Sequence, residues 1–304
     1  FVSALTTGKY PISLKSLCDG DLMAVRTFTI LRLPRALMGL VGGFGLGIAG
    51  FVYQTVFRNP LASPDIIGVS SGASAGAAFA ILFVSAASPS TTVFAFIGGL
   101  LAVCLSLGLT ALSPVKEHAS IVLAGIAVHA LAQTFLMVLK LMADPEKQLA
   151  SIEYWIMGSL AGVTAAKIPV PVLIILVTSI AILLLHRHVL ALSVREDEAR
   201  MLGVSVRTTR FYVLFLATLT VAAAVSVTGL ISFIGLLAPH TARLLTGDHK
   251  QSSCLLSGII GSFLLLTADV LAKSLATVEL PVSIFTSLLG APFLIFLILS
   301  GRRH

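Results

Sequence analysis

RNPLASPDIIGVSSGAS, residues 58–74, is a polar stretch that joins two long uncharged parts of the chain. No charged residue occurs in residues 36–57 before it or in residues 66–115 after it. Pro60 and Pro64 each disfavour helical backbone at the residue that precedes them. The stretch is therefore predicted to be a non-helical corner between two apolar helices, either a plain cytoplasmic turn or irregular backbone beside a water-filled pathway.

The composition of the 304-residue chain places it among membrane proteins. Hydrophobic residues make up 57% of it and charged residues 11%, whereas an ordinary soluble domain has about 25% charged residues. The apolar runs are continuous and do not alternate, which favours helices over strands. The net charge of +7 comes from Lys and Arg scattered among loops, so we expect it to set membrane orientation and not to bind nucleic acid. We predict an all-α polytopic membrane protein in a lipid bilayer.

Nine segments reach the length of about 20 apolar residues that a membrane-spanning helix needs. They are residues 36–57, 66–86, 91–113, 119–141, 168–186, 211–228, 229–247, 251–272 and 280–300. Because nine spans put the two chain ends on opposite sides, and the chain begins with Phe1 and not Met, a tenth span is expected before it. Beyond residue 36, most Lys and Arg lie on the side of the C-terminus, which is therefore predicted to be cytoplasmic.

Motifs for catalysis are missing from the sequence. The chain contains no P-loop motif and no HExxH, so neither a catalytic residue nor a metal ligand is predicted. GLGIAG, residues 45–50, matches the dinucleotide-binding fingerprint, but no strand precedes it and it lies inside a predicted span. Gly39, Gly43 and Gly47 recur every four residues instead, which places them on one helix face where another backbone can approach closely.

Polar segments in four places remain as candidates for function. RLPR, residues 32–35, puts two cations near the outer mouth, where interfacial snorkelling is the simpler explanation. The corner described above is the second segment. Residues 193–210 are the most charged part of the chain; we predict two short helices joined at Gly203, either a docking surface for a soluble partner or a solvated loop. In residues 229–243, Pro239 indicates a broken or bent helix.

The order of the motifs closely resembles that of one family of permeases. The motifs are RLPR (32–35), Q-x-x-x-RNPLASPDIIGVSSGA (54–73), LAGIA (123–127), YWIMGSL (154–160), GLISFIGLLAPHTAR (229–243), AD-x-x-AK (268–273), ELP (279–281) and LLGAPFLIFLI (288–298). They resemble the FecCD-type permeases of ABC importers for iron-siderophores, haem and vitamin B12. The resemblance extends over essentially the whole chain, and it identifies a family more sharply than a cargo.

The resemblance implies the ten-helix fold of a type II ABC importer, with nine spans in this chain and residues 1–304 forming one transmembrane permease domain. It implies a transport subunit and not an enzyme, with no cofactor bound by this chain, because two cytoplasmic ATPase subunits use the ATP and Mg. A second permease subunit, identical or paralogous, and an extracytoplasmic substrate-binding protein complete the expected assembly in the bacterial inner membrane. In this family the helices form an inverted pseudo-repeat, a known transporter design.

Roles for particular residues also follow from the resemblance. The cations expected to dock the binding protein are Arg32, Arg35 and Lys273. The residues expected to form the cytoplasmic gate are Asn59, Leu61, Glu117 and His118. The cytoplasmic coupling helices, expected to contact the ATPases, are residues 193–210, with Arg195, Glu196, Glu198, Arg200 and Gly203. The short outer helix that lines the mouth is expected in residues 144–160, which include Trp155.

These roles imply transport by alternating access. Within this resemblance SPD (63–65) after NPLA favours a ferric siderophore as the cargo, with haem or cobalamin as the alternative. Two other classes of protein are weaker candidates. An ion-coupled secondary transporter needs carboxylates buried within its spans, and only Asp269 is placed for that task. A membrane enzyme needs a catalytic constellation that the sequence lacks.

Overall fold

The computed structural model describes residues 1–6, 19, 21–84, 88–113, 118–194, 196–201, 203–247, 251–275 and 279–300. Within these residues the regular secondary structure is entirely helical. The helices are α1 (Val2–Thr6), α2 (Leu22–Arg26), α3 (Leu33–Val56), α4 (Val69–Phe83), α5 (Ser88–Leu112), α6 (His118–Met142), α7 (Gln148–Ile156), α8 (Pro169–Leu184), α9 (His186–Ala191), α10 (Glu196–Met201), α11 (Val206–Thr228), α12 (Ile234–Thr246), α13 (Gln251–Ser274) and α14 (Val282–Ser300). A π-helical segment, Thr27–Arg32, joins α2 to α3, and a 3₁₀ turn, Pro64–Ile67, precedes α4.

Long apolar helices confirm a multi-pass membrane architecture. Among the described residues, five helical segments are long and apolar enough to cross a membrane: Leu22–Val56, Pro89–Leu112, Ser120–Met142, Val206–Thr228 and Gln251–Ser274. Three shorter apolar helices are Val69–Phe83, Pro169–Leu184 and Val282–Phe296. The number of nine spans stays a prediction, since several of the expected spans are helical over only part of their length.

Helix α3 is the central element, and it packs against α8, α11, α12 and α13. Its contact with α13 is close because glycines meet there: a Cβ on Gly43 would lie 2.5 Å from the carbonyl oxygen of Gly261, and one on Gly47 would collide with that of Ser257. Gly39, on the same face, lies against the side chain of Leu266. The predicted glycine face is therefore confirmed as a helix-packing surface, and GLGIAG lies inside α3.

The polar corner adopts the predicted non-helical backbone. Helix α3 ends at Val56, and the chain then turns through residues 57–63 before the 3₁₀ turn. Gly68, the residue before α4, has a φ of +84°. Further along α4, the backbone of Gly72 lies so close to α5 that a Cβ would be 2.5 Å from the carbonyl oxygen of Gly98. The small residues that follow the corner thus allow α4 and α5 to pack closely.

Two segments that are expected to cross the membrane, residues 57–83 and 229–246, each consist of a non-helical part followed by a helix. The two segments run through the bundle in opposite directions. We call the end of the bundle where α3 begins the outer end and the end where it finishes the inner end, as the sequence predicts. Helix α4, with 15 residues, follows the corner, whereas α12, with 13 residues, follows the non-helical residues 229–233. At 1.5 Å per residue these helices are about 22 and 20 Å long, short of the roughly 30 Å hydrocarbon core. The break predicted at Pro239 is therefore misplaced: Pro239 lies inside α12, and the non-helical backbone is that of residues 229–233 before it.

Residues 193–210 differ from the prediction of two short helices. The first short helix is present as α10, and Gly203 follows it with a φ of +78°. The second is not a separate helix: residues 206–210 are the first turns of α11, which continues to Thr228. The apolar run that begins at Phe211 packs against the core and continues the same helix, so residues 206–210 are part of a long helix.

Candidate functional site

The three cations predicted to dock a binding protein converge at the outer end of the bundle. Arg35 donates from Nε to Asp269 Oδ1 at 2.8 Å and from Nη1 to Glu279 Oε2 at 2.8 Å. Lys273 Nζ lies 2.6 Å from Asp269 Oδ2. We call Arg35, Asp269, Lys273 and Glu279 the outer cluster. Residues far apart in sequence thus form one network of two cations and two carboxylates.

Arg32 lies beside the outer cluster and binds the end of α1. Its Nη1 donates to the carbonyl oxygens of Leu5 and Thr6, at 3.0 and 3.2 Å. Lys273 Nζ donates to the neighbouring carbonyl oxygen of Ala4 at 3.4 Å. Cations near the last carbonyls of a helix are favourable, because those groups lack partners within the helix. The backbone of α1 therefore helps to hold both cations.

Burial within the outer cluster is uneven. The side chain of Asp269 is 0% exposed, those of Arg35 and Lys273 are 9% and 6% exposed, and that of Glu279 is 32% exposed. Buried charges are tolerated where each has an opposite partner, and removing one partner is costly. Asp269 is thus the buried centre of the cluster, while Glu279 is its member on the solvent side.

The predicted gate residues at the inner end are described in part. Asn59 Oδ1 accepts a hydrogen bond from the backbone N–H of Leu61 at 2.9 Å, the local turn for which asparagine is well suited. The side chain of Leu61 is 56% exposed. His118 begins α6, but its side chain and the whole of Glu117 lie outside the described residues. The structure therefore shows a rigid turn that presents an apolar side chain, and it leaves the second gating segment as a prediction.

Arg58 connects the corner to the start of the predicted coupling segment. Its Nε donates to the carbonyl oxygen of Leu192 at 3.2 Å, and its Nη2 donates to that of Val194. Arg58 has a φ of +47°, a backbone conformation that residues other than glycine rarely adopt. The guanidinium thus joins the residue next to Asn59 with the chain that follows α9.

The predicted coupling residues lie on and after α10. Glu198 and Arg200 are exposed on this short helix, and Gly203 follows it. Glu196 begins α10, but its side chain and the whole of Arg195 lie outside the described residues. Exposed charges of both signs on a short helix can form a recognition surface for a soluble protein.

Gln54 and Arg243 form an interaction that the sequence did not reveal. Arg243 Nη1 donates to Gln54 Oε1 at 2.7 Å, and Gln54 Nε2 donates to the carbonyl oxygen of Leu236 at 3.1 Å. The guanidinium carbon of Arg243 also lies 5.2 Å from the ring centre of Phe51. Gln54 belongs to the motif QTVFRNPLA and Arg243 to the motif APHTAR. Their presence in two of the family's motifs was the one sequence feature that could have suggested a contact between them. The contacts fasten α12 to the inner half of α3.

Cavities in the described part of the bundle include two beside the non-helical segments. One of about 600 Å³ at the outer end is lined by α7 and neighbouring loops, including Lys147, Trp155 and Lys167; burial lowers the pKa of Lys167. A smaller one of about 270 Å³ lies between the corner and residues 231–236. Irregular backbone at membrane depth is tolerated beside such cavities, so both non-helical segments lie where transporters place theirs.

Metal-binding chemistry is not apparent in the part of the chain that the structure describes. No group of three or more His, Cys, Asp or Glu side chains there is placed to hold a metal ion. An all-helical apolar bundle with broken spans, internal cavities and buried ion pairs is the architecture of a membrane transport protein.

Comparison with known proteins identifies the family. The chain belongs to the FecCD transport family, whose model matches residues 1–300. The hemin transport system permease protein HmuU of Yersinia pestis is 40% identical, over 90% of this chain and 83% of its own length. The cobalamin import system permease protein BtuC of Halobacterium salinarum is 36% identical, over 88% of this chain and 72% of its own. An iron chelatin transport system permease protein of Helicobacter pylori is also 36% identical, over 90% and 82%.

A solved structure has the same fold over nearly the full length. It is an inward-facing conformation of a metal-chelate type ABC transporter, with a TM-score of 0.90 and 32% sequence identity, covering 98% of this chain and 96% of the other. The chain is thus an ABC transporter permease subunit, and ATP hydrolysis resides in separate subunits. The alternatives of an ion-coupled secondary transporter and of a membrane enzyme are therefore wrong.

Proposed function

We propose that this permease imports an iron chelate, a ferric siderophore first, from an extracytoplasmic binding protein into the cytoplasm. Haem and cobalamin are the alternative cargoes, because relatives are named for both. The supporting observation is the near-complete match in fold to a metal-chelate type ABC transporter. The assembly comprises a second permease subunit, identical or paralogous, and two ATPase subunits that bind the ATP and Mg, all in or at the bacterial inner membrane.

The complete permease would have ten spans, nine of which belong to this chain. Helix α6 supports the presence of a neighbour in the membrane, since much of its apolar surface is exposed, including Leu123, Leu131 and Met137. A second permease subunit and lipid would cover such a surface.

Docking of the binding protein is proposed at Arg32, Arg35 and Lys273. Their convergence at the outer end supports this role, because acidic residues of the binding protein would meet them on one face of the bundle. Asn59 and Leu61, with Glu117 and His118, form the proposed gate at the inner end. Residues 193–210 form the proposed contact with the ATPases.

The cargo can be identified from the assembled transporter. We would purify it with the binding protein that co-purifies and record the absorption spectrum of the bound ligand. A ferric siderophore is expected, and uptake of radioactive iron into proteoliposomes should then be inhibited by excess unlabelled ferric siderophore and not by haem. A haem or cobalamin spectrum, with the matching competition, would replace the siderophore assignment by one of the alternatives.

A further inference from the structure

Glu279 belongs to the ELP motif, and none of the proposed roles accounts for it. It precedes α14, and its carboxylate accepts a hydrogen bond from Arg35 Nη1 at 2.8 Å. Its side chain is 32% exposed, while its partner is 9% exposed. The carboxylate therefore covers the solvent side of a cation that is proposed to meet a carboxylate of another protein.

From this geometry we propose that Glu279 is an internal competitor for the docking site on Arg35. When the binding protein docks, its acidic side chain takes the place of Glu279 on the guanidinium. This inference rests on the proposed docking function and names how that site is regulated. The proposal therefore requires the binding protein to present an acidic side chain to the outer end of the permease.

Arg35 keeps its remaining contacts during such an exchange. Asp269, which binds Nε, is fully buried and cannot leave without exposing two cations to an apolar interior. Arg35 Nη2 is buried and makes no hydrogen bond to any described residue. An incoming carboxylate would therefore bind Nη1, the atom that Glu279 leaves, while Nε stays bound to Asp269.

Release of Glu279 is inexpensive because its side chain already reaches water. A partly exposed ion pair contributes little net stability, as the carboxylate is well solvated when it leaves. The neighbouring backbone holds the segment in place: Leu280 N donates to the carbonyl oxygen of Ala272 at 3.5 Å, and Val282 N donates to that of Gly158 at 3.0 Å. The side chain can therefore swing away while the backbone before α14 stays anchored.

The test is the affinity of the co-purifying binding protein, fluorescently labelled, for the nucleotide-free transporter in nanodiscs. Glu279→Gln keeps the shape and removes the charge, so it should lower the Kd by about threefold to fivefold. Arg35→Ala should raise the Kd by about tenfold, because it removes the cation to which the carboxylates of Glu279 and of the binding protein would bind. Glu279→Gln added to Arg35→Ala should then have no effect, since the competition requires Arg35.

Glu153→Gln is the matched control. Glu153 lies on α7 at the same end, pairs with Lys140 at 2.9 Å and is 45% exposed, so its neutralisation changes the outer charge without touching Arg35. Glu279→Asp, whose shorter side chain would not reach Nη1, is a second variant expected to lower the Kd in case the glutamine variant does not assemble.

Three results would overturn the inference. They are an unchanged or higher Kd for both Glu279 variants, an equal fall in Kd with and without Arg35, and an equal fall for Glu153→Gln. In each case a raised Kd for Arg35→Ala would leave the proposed docking intact. If Arg35→Ala has no effect, the docking proposal itself fails.

Discussion

Asp269 shows how one residue can be misjudged from its position in a span. As a lone carboxylate in an apolar helix, it was the one candidate for binding a coupling ion. The structure places it between Arg35 Nε and Lys273 Nζ, at 2.8 and 2.6 Å, with no exposed surface. Its charge is therefore balanced within the chain, and it positions the two cations.

Asp269→Asn tests this structural role. The substitution leaves two buried cations without their shared counter-ion, and such a loss costs about 3–5 kcal/mol. The melting temperature of the purified transporter, followed by tryptophan fluorescence in detergent, should fall clearly. Glu153→Gln, which breaks a partly exposed pair, should cost less than about 1 kcal/mol. Equal shifts for the two variants would contradict the central place of Asp269.

The pairing of α3 with α13 illustrates packing at the scale of elements. Gly43 and Gly47 let the backbones of the two helices come into contact. Lipid removes the usual hydrophobic advantage of burying apolar side chains, so close backbone packing carries much of the association between spans. The glycine spacing is therefore a structural requirement of the bundle.

Gly47→Ala should destabilise the transporter because the new Cβ collides with the carbonyl oxygen of Ser257. Overpacking of this kind costs about 1–3 kcal/mol. Gly108→Ala is the control, since a Cβ there has no atom within 4 Å, and alanine favours a helix by about 1 kcal/mol over glycine. In a thermal unfolding measurement the midpoint temperature of Gly47→Ala should be lower than that of the parent. The midpoint of Gly108→Ala should be unchanged or higher. A Gly47→Ala variant as stable as the parent would show that the helices can separate freely.

Elements with local signals were predictable from the sequence, and those set by distant contacts were not. The corner follows from Pro60 and Pro64, and the glycine face follows from a four-residue repeat. The start of α11 was misplaced because the charged residues 206–210 were assigned to a separate short helix, whereas they continue directly into the apolar helix that packs in the bundle. The partners of Arg35 lie more than 230 residues away in sequence, so no local pattern could reveal that this cation is buried.

The proposed function requires that the whole molecule convert events at the ATPases into movement of the pathway. Arg58 is a physical connection for this task, because its side chain binds the carbonyl oxygens of Leu192 and Val194 while its backbone adjoins Asn59. If residues 193–210 contact the ATPases, a shift of that segment would pull directly on the corner.

Arg58→Ala should uncouple hydrolysis from transport. The variant loses two hydrogen bonds from a charged donor, so the amount of chelate imported per ATP hydrolysed should fall by about tenfold, while assembly and basal ATP hydrolysis persist. Arg187→Ala, on the exposed side of neighbouring α9, should leave the ratio unchanged. If Arg58→Ala leaves the amount of chelate imported per ATP unchanged, Arg58 does not link residues 193–210 to the corner during transport.

The most direct measurement of the overall function is uptake into proteoliposomes that contain the complete transporter, with the loaded binding protein outside and ATP supplied to the ATPases. Membership of an ABC permease family predicts that uptake of the chelate requires both hydrolysable ATP and the binding protein. A protonophore should leave the rate unchanged at constant ATP. Uptake that persists without ATP, or that the protonophore abolishes while ATP is held constant, would contradict an ATP-driven importer.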